Sequence, residues 1–210
     1  VNSQNLNGTN RWSATAGTFT ASNTYAVTGS LSGKWYFSGS SPYNGTFWDF
    51  NERTSDFVLE YNYRRQTRGS VLGTVYDTTP NWGSSMLYDS ASILYYRNST
   101  DVDTAIVNPF NAAWYRFKES HHPASKTYDL QINNGSTYTG TALTYHQQEN
   151  PRYFKMVTDT GAALTWETYV DDIFIRKYAA TEPSTAYQGA LLTSNSGTYV
   201  SPRYEITENP

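Results

Sequence analysis

The chain has 210 residues, enough for one sizeable core, and its 15 Lys and Arg against 18 Asp and Glu leave a net charge of -3. That balance lacks the basic footprint a phosphate backbone demands, so nucleic acid is not expected as a partner. No cysteine is present and no apolar run is long enough for a helical membrane span, which excludes a disulfide framework, thiolate catalysis and Cys-type metal centres. The opening "VNSQNLNGTN" has no basic region followed by an apolar one, so the chain is expected to be processed or a piece of something longer.

Nineteen Tyr, nine Phe and six Trp, among abundant Ser, Thr, Gly and Asn, make a strand-and-turn composition. Its low charge and wealth of hydroxyls and amides fit an extracellular or cell-surface protein. The Asn-x-Ser/Thr acceptors at Asn7, Asn44, Asn98 and Asn134 add nothing to that expectation, because this composition produces about as many by chance.

Along the chain, short alternating runs are followed by turn clusters, and helical periodicity is missing. The first fifty residues hold strand-like pieces around 25–27 and 35–37. "DFVLEYNYRR" then puts Phe57, Leu59, Tyr61 and Tyr63 on one face and Val58, Glu60, Asn62 and Arg64 on the other. "SVLGTVYD" and "SMLYDSASILYYRNS" follow, divided by "TTPNWGS". Next, "AAWYRFKESHHPASKTYDLQINNGSTYTG" reads as a three-strand meander: the polar "ESHHPASK" is expected to be its first loop, and Asn134-Gly135 its tight hairpin turn. "TALTYHQ", "YFKMVTD" and "LTWETYVDDIFIRKY" complete the series. This spacing predicts an all-β, two-sheet antiparallel sandwich over residues 1–180. Residues 181–210 lose the alternation and are expected to form an extended C-terminal arm or linker, with one late strand near 198–206.

The stretches "WYRFKES", "SKTYDLQINNG" and the closing "YVDDIFIRKY" resemble the concanavalin A-like jelly roll, in particular its laminin-G-like branch. The ending "IRKYAATEPS" is similar to an uncharacterised family of archaeal and bacterial surface-protein domains. The resemblance implies a jelly-roll fold over about residues 10–180 and an extracellular habit. It implies no activity.

Four groups are candidate sites. Asp171 and Asp172 interrupt the last apolar run. Neighbours on a flat strand point to opposite faces, so they are expected to cap backbone donors or pair with Arg176 or Lys177, with a calcium site as the functional alternative. Asp101 and Asp103 in "NSTDVDTA" form either a solvated turn or part of a calcium loop. His121 and His122 are expected at a hairpin tip. The aromatic-rich segment "KWYFSGSSPYNGTFWDF" and nearby "NWG" supply Trp35, Tyr43, Trp48, Asp49 and Trp82 for glycan stacking, for packing, or for contact with a neighbouring subunit. No cofactor is called for; calcium is the candidate ion.

Motifs for catalysis are missing. Jelly-roll glycosidases carry Glu-x-Asp on one strand, and no Glu-x-Asp occurs here. "QIN" and "YFK" echo alginate-lyase-like jelly rolls, but Asn133 stands where their histidine would be and the arginine strand has no counterpart. The expectation is therefore a non-catalytic surface module, structural or adhesive, assembling into an oligomer or filament through the arm. The alternative is a lectin-like carbohydrate-binding module that takes surface glycans. A polysaccharide lyase or glycoside hydrolase with an atypical site comes last.

Overall fold

The computed structural model describes residues 11–40, 44–67, 71–76, 83–90, 92–158 and 164–180. The expected arm and late strand, together with Tyr43 and Trp82, lie outside these residues. Among them there is no helix and there are fourteen strands. Strands β1 (Trp12–Ala14), β4 (Gly45–Asp49), β13 (Tyr153–Val157), β6 (Val71–Val75), β7 (Leu87–Ser90), β8 (Ile93–Arg97) and β9 (Asp103–Val107) lie in that order in one seven-stranded sheet, sheet B. Strands β12 (Ser136–Thr144), β11 (Thr127–Asn134), β10 (Tyr115–His122), β5 (Phe57–Arg65), β14 (Leu164–Lys177), β3 (Ser32–Gly39) and β2 (Thr18–Ser22) make the other, sheet A. All pairings are antiparallel, and the two sheets stack as a jelly-roll sandwich whose compact unit ends at Tyr178.

Period-two patterning explains the core. Phe57, Leu59, Tyr61 and Tyr63 of β5 all point inward and are essentially inaccessible, as are Phe117, Tyr128 and Trp166 on neighbouring strands. From sheet B, Leu72, Leu87, Leu94 and Phe154 complete the same cluster. A smaller apolar cluster, with Phe47, Val71, Val75 and Val157, covers the other face of sheet B. Lys155 lies on that second face, opposite Phe47 and Gly73, and is only 2% exposed.

Two local expectations need correcting. The piece around 25–27 is a loop, not a strand, since β2 ends at Ser22 and β3 begins at Ser32. "ESHHPASK" is not a loop in its first half: β10 runs through Glu119, Ser120 and His121 to His122 and pairs on both sides. The turn is confined to 123–126. The Asn134-Gly135 hairpin forms as expected, with Gly135 at φ +70.

Candidate functional site: the outer face of sheet A

The inward residues of sheet A leave the alternate positions pointing outward, and these carry the chemistry. On β5 they are Glu60, Asn62 and Arg64; on β10, Arg116 and Lys118; on β11, Gln131 and Asn133; on β3, Lys34 and Tyr36; and on β14, Glu167. The register stacks them in ranks. Asn133, Arg116, Asn62 and Asp171 stand side by side across four strands, and Gln131, Lys118 and Glu60 form the next rank.

Charges on this face are held by opposite charges. Glu60 sits between two guanidinium groups, with Arg116 Nη2 at 2.7 Å and Arg176 Nε at 3.0 Å. Lys34 Nζ lies 3.2 Å from Glu167 and 5.7 Å from the ring centres of both Tyr36 and Tyr169. Tyr169 donates to Glu167 at 2.6 Å. Burial, that hydrogen bond and the carboxylate charge together push the Tyr169 phenol well above its ordinary value, so it remains a donor. Arg64 lies 4.0 Å over the ring of Tyr25, which meets Tyr169 edge-on at 5.1 Å.

Asp171 and Asp172 belong to this face. A register break between Asp171 and Phe174, with Asp172 at φ +48, forms a bulge in β14. The bulge overcomes the alternation of a flat strand, and both carboxylates converge on Thr28. Asp171 Oδ2 accepts the backbone N–H of Val27 at 2.8 Å and of Thr28 at 3.3 Å. Asp172 accepts the Thr28 hydroxyl at 2.5 Å and the Asn62 amide at 3.1 Å. The pair thus ties the loop between β2 and β3 to the sheet. Burial pushes the Asp171 carboxyl up; the two backbone donors pull it back, and the charge of Asp172 raises it further.

Behind the face lies a polar cluster that sequence reasoning missed. Glu119 on β10 is fully buried, yet it receives three partners: Tyr61 Oη at 2.7 Å, Ser85 Oγ at 2.7 Å and His121 Nε2 at 3.0 Å. A carboxylate accepts from all three, which places the proton of a neutral His121 on Nε2 and leaves Nδ1 to accept from Tyr145, 3.0 Å away. The imidazole is stacked on Phe57 at 4.6 Å and Tyr128 at 5.4 Å. Gly73 makes the approach of Ser85 feasible. Its φ is +130, and a Cβ there would stand 2.2 Å from the Ser85 carbonyl oxygen. Burial, and then the Glu119 charge, push the Tyr61 phenol well above its ordinary value. The signal was present in the sequence: Tyr115, Phe117, Glu119 and His121 continue one alternation.

The remaining sequence candidates fall elsewhere. His122, on the opposite face from His121, pairs with Asp56 at 2.8 Å. Asp103 is held by Arg97, with Oδ1 2.6 Å from Nε, and by the hydroxyl of Tyr88. Asp101 meets His146 at 2.8 Å. The two acids of that loop therefore face different partners, and among the described residues no three His, Asp or Glu side chains converge as a metal centre would require. Trp35 is a core residue with 0% exposure, its indole N–H donating to the Ala16 carbonyl. Trp48 stacks on Trp12 at 6.3 Å, and Asp49 pairs with Arg152 at 3.2 Å on the other side of sheet B. The described members of the aromatic set do not form one exposed platform.

No protein-family model matches the chain, and no curated protein does. Among solved structures it is similar to a cellulose-induced protein, Cip1, at 16% identity and a TM-score of 0.56, covering 85% of this chain and 98% of that one. It is also similar to the catalytic domain of a glycoside hydrolase family 131 protein from Coprinopsis cinerea, at 11% identity and a TM-score of 0.55, covering 86% of each. A third likeness is to a sialidase, at 9% identity and a TM-score of 0.57, over 80% of this chain and 17% of the sialidase. This chain therefore corresponds to a small part of that protein. Identities this low establish the shared architecture, a jelly-roll sandwich of the concanavalin-like kind. The narrower laminin-G-like and surface-protein resemblance rests on its motif residues alone.

These neighbours overturn the expectation of a non-catalytic structural or adhesive module and the exclusion of an enzyme. Proteins bearing glucanase, sialidase and carbohydrate esterase titles share the sandwich. The exclusion rested on missing linear motifs, whereas strand pairing brings acids, tyrosines and a histidine together from distant segments, as at Glu119. Among the described residues no helix is long and apolar enough to cross a membrane.

Proposed function

We propose that this chain is a carbohydrate-directed protein that lays a polysaccharide across the outer face of sheet A. One observation carries the reading. From β3 to β11 the face spans roughly 19 Å at about 4.8 Å per strand, and each strand contributes outward hydrogen-bonding side chains. An extended chain of sugars needs such a surface: amides and guanidinium groups for its hydroxyls, and rings for its apolar faces. Tyr36, at 39% exposure, supplies a ring, while Asn62, Asn133 and Arg116 supply the polar contacts. The carbohydrate-related titles among the fold neighbours support the same class of ligand by analogy of fold. With such a ligand goes a location outside the cell or at its surface, which we propose for this protein.

The test is affinity electrophoresis against a panel of neutral and acidic polysaccharides, with reducing ends and unsaturated products followed in the same mixtures. Retardation by at least one polysaccharide, weakened in Tyr36→Ala and Arg116→Ala, is expected. Migration unchanged by every polysaccharide, with no product formed, would sink the proposal.

A further inference from the structure

β9 is an edge strand of sheet B and β12 an edge strand of sheet A, and residues of both line one opening at the side of the sandwich. A cavity of about 390 Å³ lies there, between the segment following β9 and the β11–β12 hairpin. That volume falls within the range of small-ligand pockets, roughly 300–1,000 Å³. We propose that this mouth is a second carbohydrate site, separate from the outer face, and that it takes a neutral sugar. The inference rests on the carbohydrate reading above and narrows the ligand at a different place on the molecule.

None of the eleven residues lining the cavity is acidic or basic. Its polar groups are the amides of Asn108, Asn111 and Asn134 and the hydroxyls of Ser136, Thr137 and the tyrosines, against an apolar floor of Ile106, Val107 and Ile132. Amides both donate and accept, which is what vicinal sugar hydroxyls require. Tyr138 is partly buried against the core and offers a ring at the wall.

Part of this lining is already fixed. The Tyr115 hydroxyl accepts from the Asn111 N–H at 3.1 Å and donates to Asn111 Oδ1 at 3.1 Å, while Thr137 donates to Asn133 at 2.7 Å. Among the described residues, none forms a hydrogen bond with the side chains of Asn108, Asn134 or Ser136, and these stand at the rim. They leave donors and acceptors available to a ligand. A uronate or a sialic acid would bring a carboxylate into a mouth that holds no cation to receive it. The outer face of sheet A, by contrast, carries charged groups of both signs, with Arg116 and Arg176 set against Glu60 and Lys34 against Glu167.

The deciding experiment is an amide NMR titration of the full chain with two probes, a neutral glucan or xylan oligosaccharide series and a uronate oligosaccharide. The neutral series should shift the amides of 106–111 and 134–138, and Tyr138→Ala should weaken that binding about tenfold. The uronate should leave those amides unmoved. Asn134→Ala, at an exposed turn, gives a second variant if the tyrosine change perturbs folding; it should weaken the same titration while leaving the rest of the spectrum in place. Shifts confined to the outer face would overturn this inference and leave the proposed function standing. A mouth that prefers the uronate, or neutral binding indifferent to both variants, would also overturn it. If neither probe binds anywhere, the mouth has no ligand of the proposed class, and the polysaccharide panel then judges the proposed function.

Discussion

The two faces of sheet A use the same strands to opposite ends. Toward the core, β5 and β10 present Tyr61, Glu119 and His121, all essentially inaccessible, with Glu119 hydrogen-bonded to both of the others. Toward solvent, those strands present Asn62, which is half-buried, and Arg116, whose exposed guanidinium covers the buried carboxylate of Glu60. Adjacent His121 and His122 show the difference in one step of the chain: one imidazole is sealed against Phe57 and Tyr128, and the other meets Asp56 near the surface. Similar residue types do different work, because the price of an unmet polar group is set by burial.

The comparison breaks most visibly at Glu119. Replacing it with Ala strands the donors of Tyr61, Ser85 and His121 in the interior. A loss of about 3–5 kcal/mol in urea unfolding is expected, the range seen when one partner of a buried pair is removed. A loss below about 1 kcal/mol would mean that the inner cluster is no more demanding than a surface one.

A second buried ionisable group sharpens the same point through pH. Burial pushes the Lys155 amine down to about 7, from an ordinary value of 10.5. Between these values the unfolded chain binds a proton that the folded chain does not, so the Lys155 contribution to stability rises with pH across that window. The slope is about 1.4 kcal/mol per pH unit where the difference is complete, and the contribution levels off below 7 and above 10.5. Subtracting the stability–pH curve of Lys155→Met from that of the wild-type protein should expose this rise. Parallel curves would contradict the buried placement of the amine.

At the boundary between loop and sheet, Asp171→Ala removes the acceptor of three backbone N–H groups, those of Val27 and Thr28 in the loop and that of Asp172. It should cost about 1–2 kcal/mol, and amide exchange should quicken first at Val27 and Thr28, ahead of the core strands. Uniform exchange would show that the clamp does not hold the loop. The smallest stability effect is expected on the open face: Tyr36→Ala should change unfolding by about 0.5 kcal/mol or less while weakening polysaccharide retention.

Much of the fold was legible in the sequence because alternation is a local signal. The inward set of β5 could be read directly, and so could the Asn134-Gly135 turn. What was not legible depended on distant partners. Glu119 and His121 look like loop residues until Tyr61, Ser85 and Tyr145 arrive from three other segments to satisfy them. The convergence of Asp171 and Asp172 needs a bulge, and a run of residues does not announce one. Trp35 has the residue type of a sugar platform, but its place on the inward side of β3 makes it core. The outer ranks and the lateral mouth emerge only once strand order is known, since neighbours in each come from separate strands and loops of the chain.

The central claim is that a polysaccharide binds across the outward side chains of β3, β5, β10 and β11. Amide and side-chain NMR shifts of the wild-type chain during titration with a retained polysaccharide's oligomers test it most directly. The account predicts shifts clustered at Tyr36, Asn62, Arg116 and Asn133 that disappear together in a Tyr36→Ala, Arg116→Ala double variant with an unchanged core spectrum. Binding that leaves all four positions unmoved would contradict it.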